Sequence, residues 1–304
     1  MRPRSRPGYG LFQLLFLLAL IALVLGGVMI PALVKAQLDA ERLRKAMNLQ
    51  HILTGMQNYT STHADKLPPG VDDKHFSALF HLLPYIEQES LYKATDRRKD
   101  SADKANAKVR STRVKTFVSP FDPLDEKSLP GGTNYFAMAG SKMPLKDNDG
   151  VLSPACGYLI SNIPDGTANT IAFVEMLRGD GGKKAESVQR QHVRLKANDL
   201  KTLEETDGVK DFENDKNIVS DRGSAWIDGR FLQATTNGTR GMLDPKPDVD
   251  CGGEGGLAGI RAVEKGTHAG MCDGSVHWIS PKVSFETWQK VCIPDDGVPV
   301  GSDW

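Results

Sequence analysis

The sequence predicts an α+β protein: a long N-terminal helix, transmembrane and then amphipathic, packed on an antiparallel β-sheet body with loop-rich insertions. Three observations predict it. An almost unbroken apolar run extends from Leu11 to Ile30, an amphipathic stripe continues from there to Tyr59, and beyond Leu67 short apolar runs alternate with turns rich in Gly and Pro.

The apolar run is about 20 residues long, which at ~1.5 Å rise per residue matches the ~30 Å hydrocarbon core of a bilayer. Gln13 is uncharged and close to the helix end, so it does not overturn insertion. Three readings of the segment differ in where the mature chain begins. A secretory signal cut at Val34-Lys35-Ala36 has an apolar run too long for its type. The others are an uncleaved anchor and a leader ending at Gly8, which makes Tyr9 the first mature residue and Gln13 the fifth. Arg2, Arg4 and Arg6 precede the run and Lys35, Arg42, Arg44 and Lys45 follow it, so flanking charge alone does not set the orientation.

After Pro31, the residues Ala36, Ala40, Leu43 and Met47 recur at helical spacing, and Leu49, Ile52, Leu53, Met56 and Tyr59 prolong the stripe. Asp39, Glu41, Arg42, Arg44 and Lys45 fall on the opposite face. Such a stripe needs a surface, and the protein's own body is the expected one. Pro68-Pro69-Gly70 ends the helix.

In the body, Asp165-Gly166 and Asp273-Gly274 supply the left-handed backbone that tight turns need, and the runs Ile171-Ala172-Phe173-Val174 and Val276-His277-Trp278-Ile279 after them read as strands. These four motif residues are read as structural. Asn134, Asn169 and Thr170 are expected to bond loop backbone. The stretch 178–222 holds ten basic and ten acidic residues with few large apolar ones, the composition of an exposed insertion with little core of its own. From Lys93 to Lys115 nine Lys and Arg stand against Asp96, Asp100 and Asp103, a solvated face in this reading. The glycine-rich stretch around Cys251-Gly252-Gly253-Glu254-Gly255-Gly256 reads as irregular backbone, without the Lys-Ser/Thr of a phosphate-binding loop.

Catalytic patterns are missing. The seven His form no His-Glu-x-x-His pair, and no Gly-x-Ser-x-Gly elbow is present, so the chain is expected to have no catalytic residues, no metal and no cofactor. Asp147-Asn148-Asp149-Gly150 starts like a calcium loop and lacks its remaining ligands. Cys156, Cys251, Cys272 and Cys292 are too widely spaced for a zinc ribbon and leave room for one or two disulfides or for buried thiols. With 38 basic and 38 acidic residues the chain is neutral, and no nucleic-acid motif accompanies its basic stretch.

Several blocks, in order, resemble a known family. They are Leu67-Pro68-Pro69-Gly70; Leu82-Leu83-Pro84-Tyr85-Ile86-Glu87-Gln88; Val114 to Pro123; Thr133-Asn134-Tyr135; Ile163 to Ile171 with Glu175; and Asp273 to Ser280. Together they are similar to the planctomycete-type domain-of-unknown-function family numbered fifteen fifty-nine, which pairs a prepilin-like N-terminus with an extracytoplasmic α+β body and a C-terminal Asp-Gly motif. Two departures stand out: the family's His ten residues before Asp-Gly is Val263 here, and its Cys before Pro is Ser119.

The resemblance implies a leader over 1–8, a transmembrane helix over 9–31, an amphipathic helix over 32–66 and an extracytoplasmic body over 67–304. It also implies leader-peptidase processing at Gly8 and Tyr9, although the fifth residue, usually Glu, is Gln13, which loses the charge that would pair with a neighbour's amine. The expected protein is a pilin- or pseudopilin-like structural or assembly protein, single-pass in the cytoplasmic membrane with its N-terminus inside. Its expected partners are membrane lipid, a prepilin peptidase and other pilin-like subunits. The alternative is a singly anchored module that binds surface polysaccharide or another ligand.

Overall fold

The computed structural model describes residues 10, 13–18, 20, 46–124, 128–154, 158–181, 188–206, 217–242, 244–262, 266–295 and 297. The chain divides into two units, 1–44 and 45–304. In the first, residues 13–18 and 20 are helical, and Gln13 caps the start, its side-chain oxygen accepting the Gly10 N–H at 3.3 Å.

The expected long N-terminal helix needs correction. Among the described residues no helix is long and apolar enough to cross a membrane. Most of the expected span 9–31, and 32–45 of the amphipathic stretch, lie outside the described residues. Apolar run length matched a bilayer, but a length match identifies a candidate, and the described helical residues do not make a span. The single-pass topology, the pilin-like role, and lipid, prepilin peptidase and pilin-like subunits as partners all rested on that helix and are set aside with it.

In the second unit the first helix, α1, runs over 46–62. Leu49, Ile52, Leu53 and Met56 recur every three or four residues and are fully buried. Polar side chains on the same helix tie it to the sheet: Gln50 Nε2 donates to the Gly274 carbonyl at 2.8 Å, Gln57 Nε2 to that of Cys272 at 2.7 Å, and Asn48 Nδ2 to that of Val118 at 2.9 Å. The helix ends before the Pro68-Pro69 pair. Thr60, Ser61 and Thr62 hydroxyls bond back to carbonyls of the preceding turn, and Ala64 and Asp65 turn left-handed, with φ of 52° and 61°.

Among the described residues nine strands follow: β1 Tyr135–Met138, β2 Ile171–Glu175, β3 His192–Leu195, β4 Ile218–Val219, β5 Thr235–Thr236, β6 Asp248–Cys251, β7 Gly256–Leu257, β8 Thr267–Met271 and β9 Val276–Ile279. They form a five-stranded sheet in the order β5-β1-β2-β8-β9 and a four-stranded sheet in the order β4-β3-β6-β7. Neither is purely antiparallel as expected, because β1 pairs with β5, and β3 with β6, in parallel. A parallel pair needs a long crossover, so no hairpin in the sequence announces it.

β1 and β2 are buried on both faces, which is why they read as continuous apolar runs rather than alternating ones. Tyr135, Ala137 and Phe173 face the α1 side chains. Phe136, Met138 and Val174 face Trp288, Val291 and Cys292 of a C-terminal helix, Phe285–Cys292, whose N-terminus is capped by Ser284 accepting the Thr287 N–H at 3.1 Å. Where composition suggests an exposed insertion at 178–222, the described residues carry β3, β4 and the helix Asp199–Glu205, and they bury Val193 and Leu203 against Val249 and Leu257. Two of the charges counted as exposed are paired inside: Arg178 Nε lies 3.2 Å from Asp122, and Arg222 bonds Asp248. Residues 182–187 and 207–216 lie outside the described residues.

Gly270 in β8 lets α1 close on the sheet, since a Cβ there would lie 2.8 Å from Leu53 Cδ2. Leu53→Ala is expected to cost about 2–5 kcal/mol, the range for emptying a buried Leu site. Gly270→Val should also destabilise, by driving helix and sheet apart. Urea unfolding of both variants checks this, and a midpoint unchanged in either would show that the helix does not depend on this contact.

Candidate functional site

In a β-strand alternate residues share a face. The parallel register pairs His192 with Asp248 and Arg194 with Asp250, so these four form one polar face of the smaller sheet, while Val193 and Val249 point into its core. His192, Asp248 and Asp250 are almost completely buried. Asp248, the deepest, accepts from Arg222, from Arg261 Nε at 3.0 Å and from the Gly259 N–H at 3.0 Å. Burial pushes its carboxyl pKa up, but Arg222 and Arg261 outweigh burial and hold it below the usual range. Burial lowers Arg222 to about 10 despite Asp248.

His192 lies between these buried charges and the surface. Burial first, then the Arg222 charge, lower its pKa to about 3, so the ring is neutral at physiological pH. Its Nε2 is 3.3 Å from Asp221 Oδ1, while Nδ1 is buried without a partner. Arg194 Nη2 lies 3.3 Å from the same Nε2, and a guanidinium can only donate, so Nε2 accepts and the proton of the neutral ring sits on Nδ1.

The face opens into a cleft of about 580 Å³ lined by three guanidiniums, Arg110, Arg194 and Arg230, and three carboxylates, Asp221, Asp228 and Asp250. Arg194 donates through Nη2 to both Asp221 oxygens, at 2.8 and 3.0 Å, and through Nε to Asp250 at 3.4 Å. Arg230 is held twice, by Asp228 at 2.8 Å and by Asp100 at 2.9 Å. Asp100 also meets His75 Nδ1 at 2.7 Å; burial raises its pKa, but the Ala102 N–H, His75 and Arg230 bring it down to about 2. Gly253, with φ of 83°, turns the chain between β6 and β7, and its missing side chain leaves room for Arg230. Asp250 accepts the Gly253 N–H at 2.7 Å, yet burial dominates and raises its carboxyl pKa to about 6.

The family model described as "Protein of unknown function (DUF1559)" matches residues 42–286. The chain belongs to that family. No curated protein and no solved structure matches. Membership in DUF1559 names no ligand or reaction, so the chemistry of this member has to be read from its own side chains.

Of the residues singled out in the sequence, Gly8 and Tyr9 lie outside the described ones and Gln13 caps Gly10. The structure brings the two Asp-Gly turns together: the Asp273 N–H donates to the Thr167 carbonyl at 3.0 Å, and the Cys272 N–H to that of Thr170 at 3.0 Å. Gly166 and Gly274 have φ of 89° and 91°, and Asp273 Oδ1 accepts from the Ser275 N–H and hydroxyl at 2.8 and 2.6 Å. Asp165 Oδ1 accepts the Gly297 N–H at 3.0 Å. None of the four lines the cleft. Both Asp149 oxygens accept from Ser141, and among the described residues no group of three His, Cys, Asp or Glu stands where it could hold a metal. Cys251 and Cys292 are free and buried, and burial raises their thiol pKa, to about 12 for Cys251 and well above the usual value for Cys292. Cys272 is buried, and Cys156 lies outside the described residues.

The cleft residues escaped the sequence reading, although a signal existed. His192-Val193-Arg194-Leu195 and Asp248-Val249-Asp250-Cys251 alternate polar with apolar, the pattern of two strands sharing a charged face.

Asp250 carries a testable pH effect. Its folded pKa of about 6 exceeds the reference value of 3.8, so between these values the folded state binds more protons than the unfolded chain. Stability is therefore lost as pH rises through that window, by at most ~3 kcal/mol at 1.36 kcal/mol per unit. Asp250→Asn should remove the loss, and the stability difference between variant and wild type should grow in the variant's favour from pH 4 to 6.5 in urea titrations. A difference independent of pH would rule out the raised carboxyl.

Proposed function

We propose that this protein is a non-catalytic binding module that holds a small polar ligand in the cleft of Arg194, Asp221, Arg230 and Asp250. The observation that carries this reading is preorganisation. Arg194 and Arg230 are each fixed by carboxylates of the same chain before any ligand arrives, and Arg110 Nη1 donates to the Ala102 carbonyl at 3.1 Å, so binding need not order long side chains. A volume of about 580 Å³ falls in the range of ligand pockets.

A binding role fits the cleft better than a catalytic one. Of its two hydroxyls, Ser224 Oγ donates to Gln233 Oε1 at 2.6 Å and Ser111 Oγ to the Lys108 carbonyl at 3.1 Å, neither to a base, and His192 is buried with Nε2 accepting from Arg194 rather than from a nucleophile. The Asp-Gly pairs are assigned an architectural role in the same reading, since Asp273 bonds the adjacent Ser275 and Asp165 accepts the Gly297 N–H.

The test is a thermal-shift screen of the full chain against neutral sugars, amino acids, citrate, inorganic phosphate and spermidine. At least one compound class is expected to raise Tm saturably, and Arg230→Ala to weaken the effect at least tenfold in apparent Kd. A screen in which no compound shifts Tm, or in which Arg230→Ala shifts as wild type does, would sink the binding reading.

A further inference from the structure

Resting on the binding reading above, we infer that the cleft selects a neutral polyhydroxylated ligand, a mono- or disaccharide, over anions and cations of similar size. The walls present three guanidiniums and three carboxylates, so the cleft has no net field that would draw ligands of one sign.

The pairing strengthens the argument. Arg194 is engaged with Asp221 and Asp250, and Arg230 with Asp228 and Asp100. An anion binding to either guanidinium competes with carboxylates already in place, and a cation competes with the guanidiniums for the carboxylates. Each leaves a partly buried charge of the protein short of its partner, which is a strongly unfavourable outcome. A neutral hydroxyl breaks nothing: it donates to a carboxylate lone pair and accepts from a spare guanidinium N–H at the same time.

Geometry favours several hydroxyls at once. Arg194 Nη2 donates to Asp221 Oδ1 and Arg230 Nη1 to Asp228 Oδ2, both at 2.8 Å, so the remaining guanidinium N–H groups and carboxylate lone pairs lie side by side at two places in one cleft. Adjacent ring hydroxyls present the complementary pairing. Gln233 adds an amide with both functions, and Leu129, Pro130 and Ala225 provide an apolar wall for the C–H face of a ring.

The experiment is isothermal titration calorimetry of the full chain with glucose, galactose, mannose, N-acetylglucosamine, maltose and cellobiose, and in parallel with citrate, inorganic phosphate and spermidine. At least one saccharide is expected to bind with an affinity that changes less than twofold between about 50 and about 500 mM NaCl, since a neutral ligand has no charge to screen. Arg194→Lys keeps the charge, loses the planar fork, and should weaken that saccharide at least tenfold. Circular dichroism and Tm of the variant establish that it folds, and Gln233→Ala, at the edge of the ion pairs, serves as a second variant with the same expected direction. Binding of an anion or cation in the cleft, with no saccharide bound, would overturn the ligand class while leaving the binding reading intact. Saccharide binding that neither variant weakens would place the ligand elsewhere and overturn the inference. Binding of nothing in either set would overturn both.

Discussion

Asp248 lies fully buried between the guanidiniums of Arg222 and Arg261, and the smaller sheet is organised around keeping that carboxylate ionised. A charge removed from water is tolerated only where its hydrogen-bonding capacity is met. Here two Arg side chains and the Gly259 N–H meet it, and the same guanidiniums reach outward: Arg222 to the Gln189 and Gln191 carbonyls, Arg261 to those of Asp244 and Lys246. One carboxylate thereby fastens β6 to three separate loops.

That arrangement sets the chemistry above it. The positive charge of Arg222 joins burial in keeping His192 neutral. Neutral His192 then accepts from Arg194 through Nε2, and Asp221 fixes the same guanidinium at the cleft mouth. The order of events is physical: a buried ion pair determines the protonation of the next residue outward, and that residue positions the groups a ligand would meet.

The larger sheet does a different job. It is sandwiched between α1 and the C-terminal helix, and its two central strands carry almost no exposed surface. Its aromatic side chains serve that packing. Trp226 and Trp288 are fully buried, and Trp278 is half exposed beside His268, which bonds Glu175 at 3.0 Å. Among the described residues no tryptophan lines the cleft, whose walls are built from ion pairs and backbone turns.

The sequence by itself determined what depends on neighbours in the chain. Leu49, Ile52, Leu53 and Met56 announce a buried helix face because their spacing matches the helical turn, and Asp273-Gly274 announces a left-handed turn because glycine alone adopts it without strain. The ordered motifs sufficed for the family. What only the tertiary structure decided is what depends on partners far away in the chain: the parallel pairing of β3 with β6, the union of Asp122 with Arg178 and of Asp248 with Arg222, and so the cleft itself. Composition showed ten acids and ten bases in 178–222 and suggested solvent exposure, because an unpaired charge belongs in water. The burial of Arg178 and Arg222 follows from Asp122 and Asp248, which lie outside that stretch and were invisible to any local reading. The apolar N-terminal run was misjudged for the related reason that length and hydropathy state where a segment would be stable, and not what the folded chain makes of it.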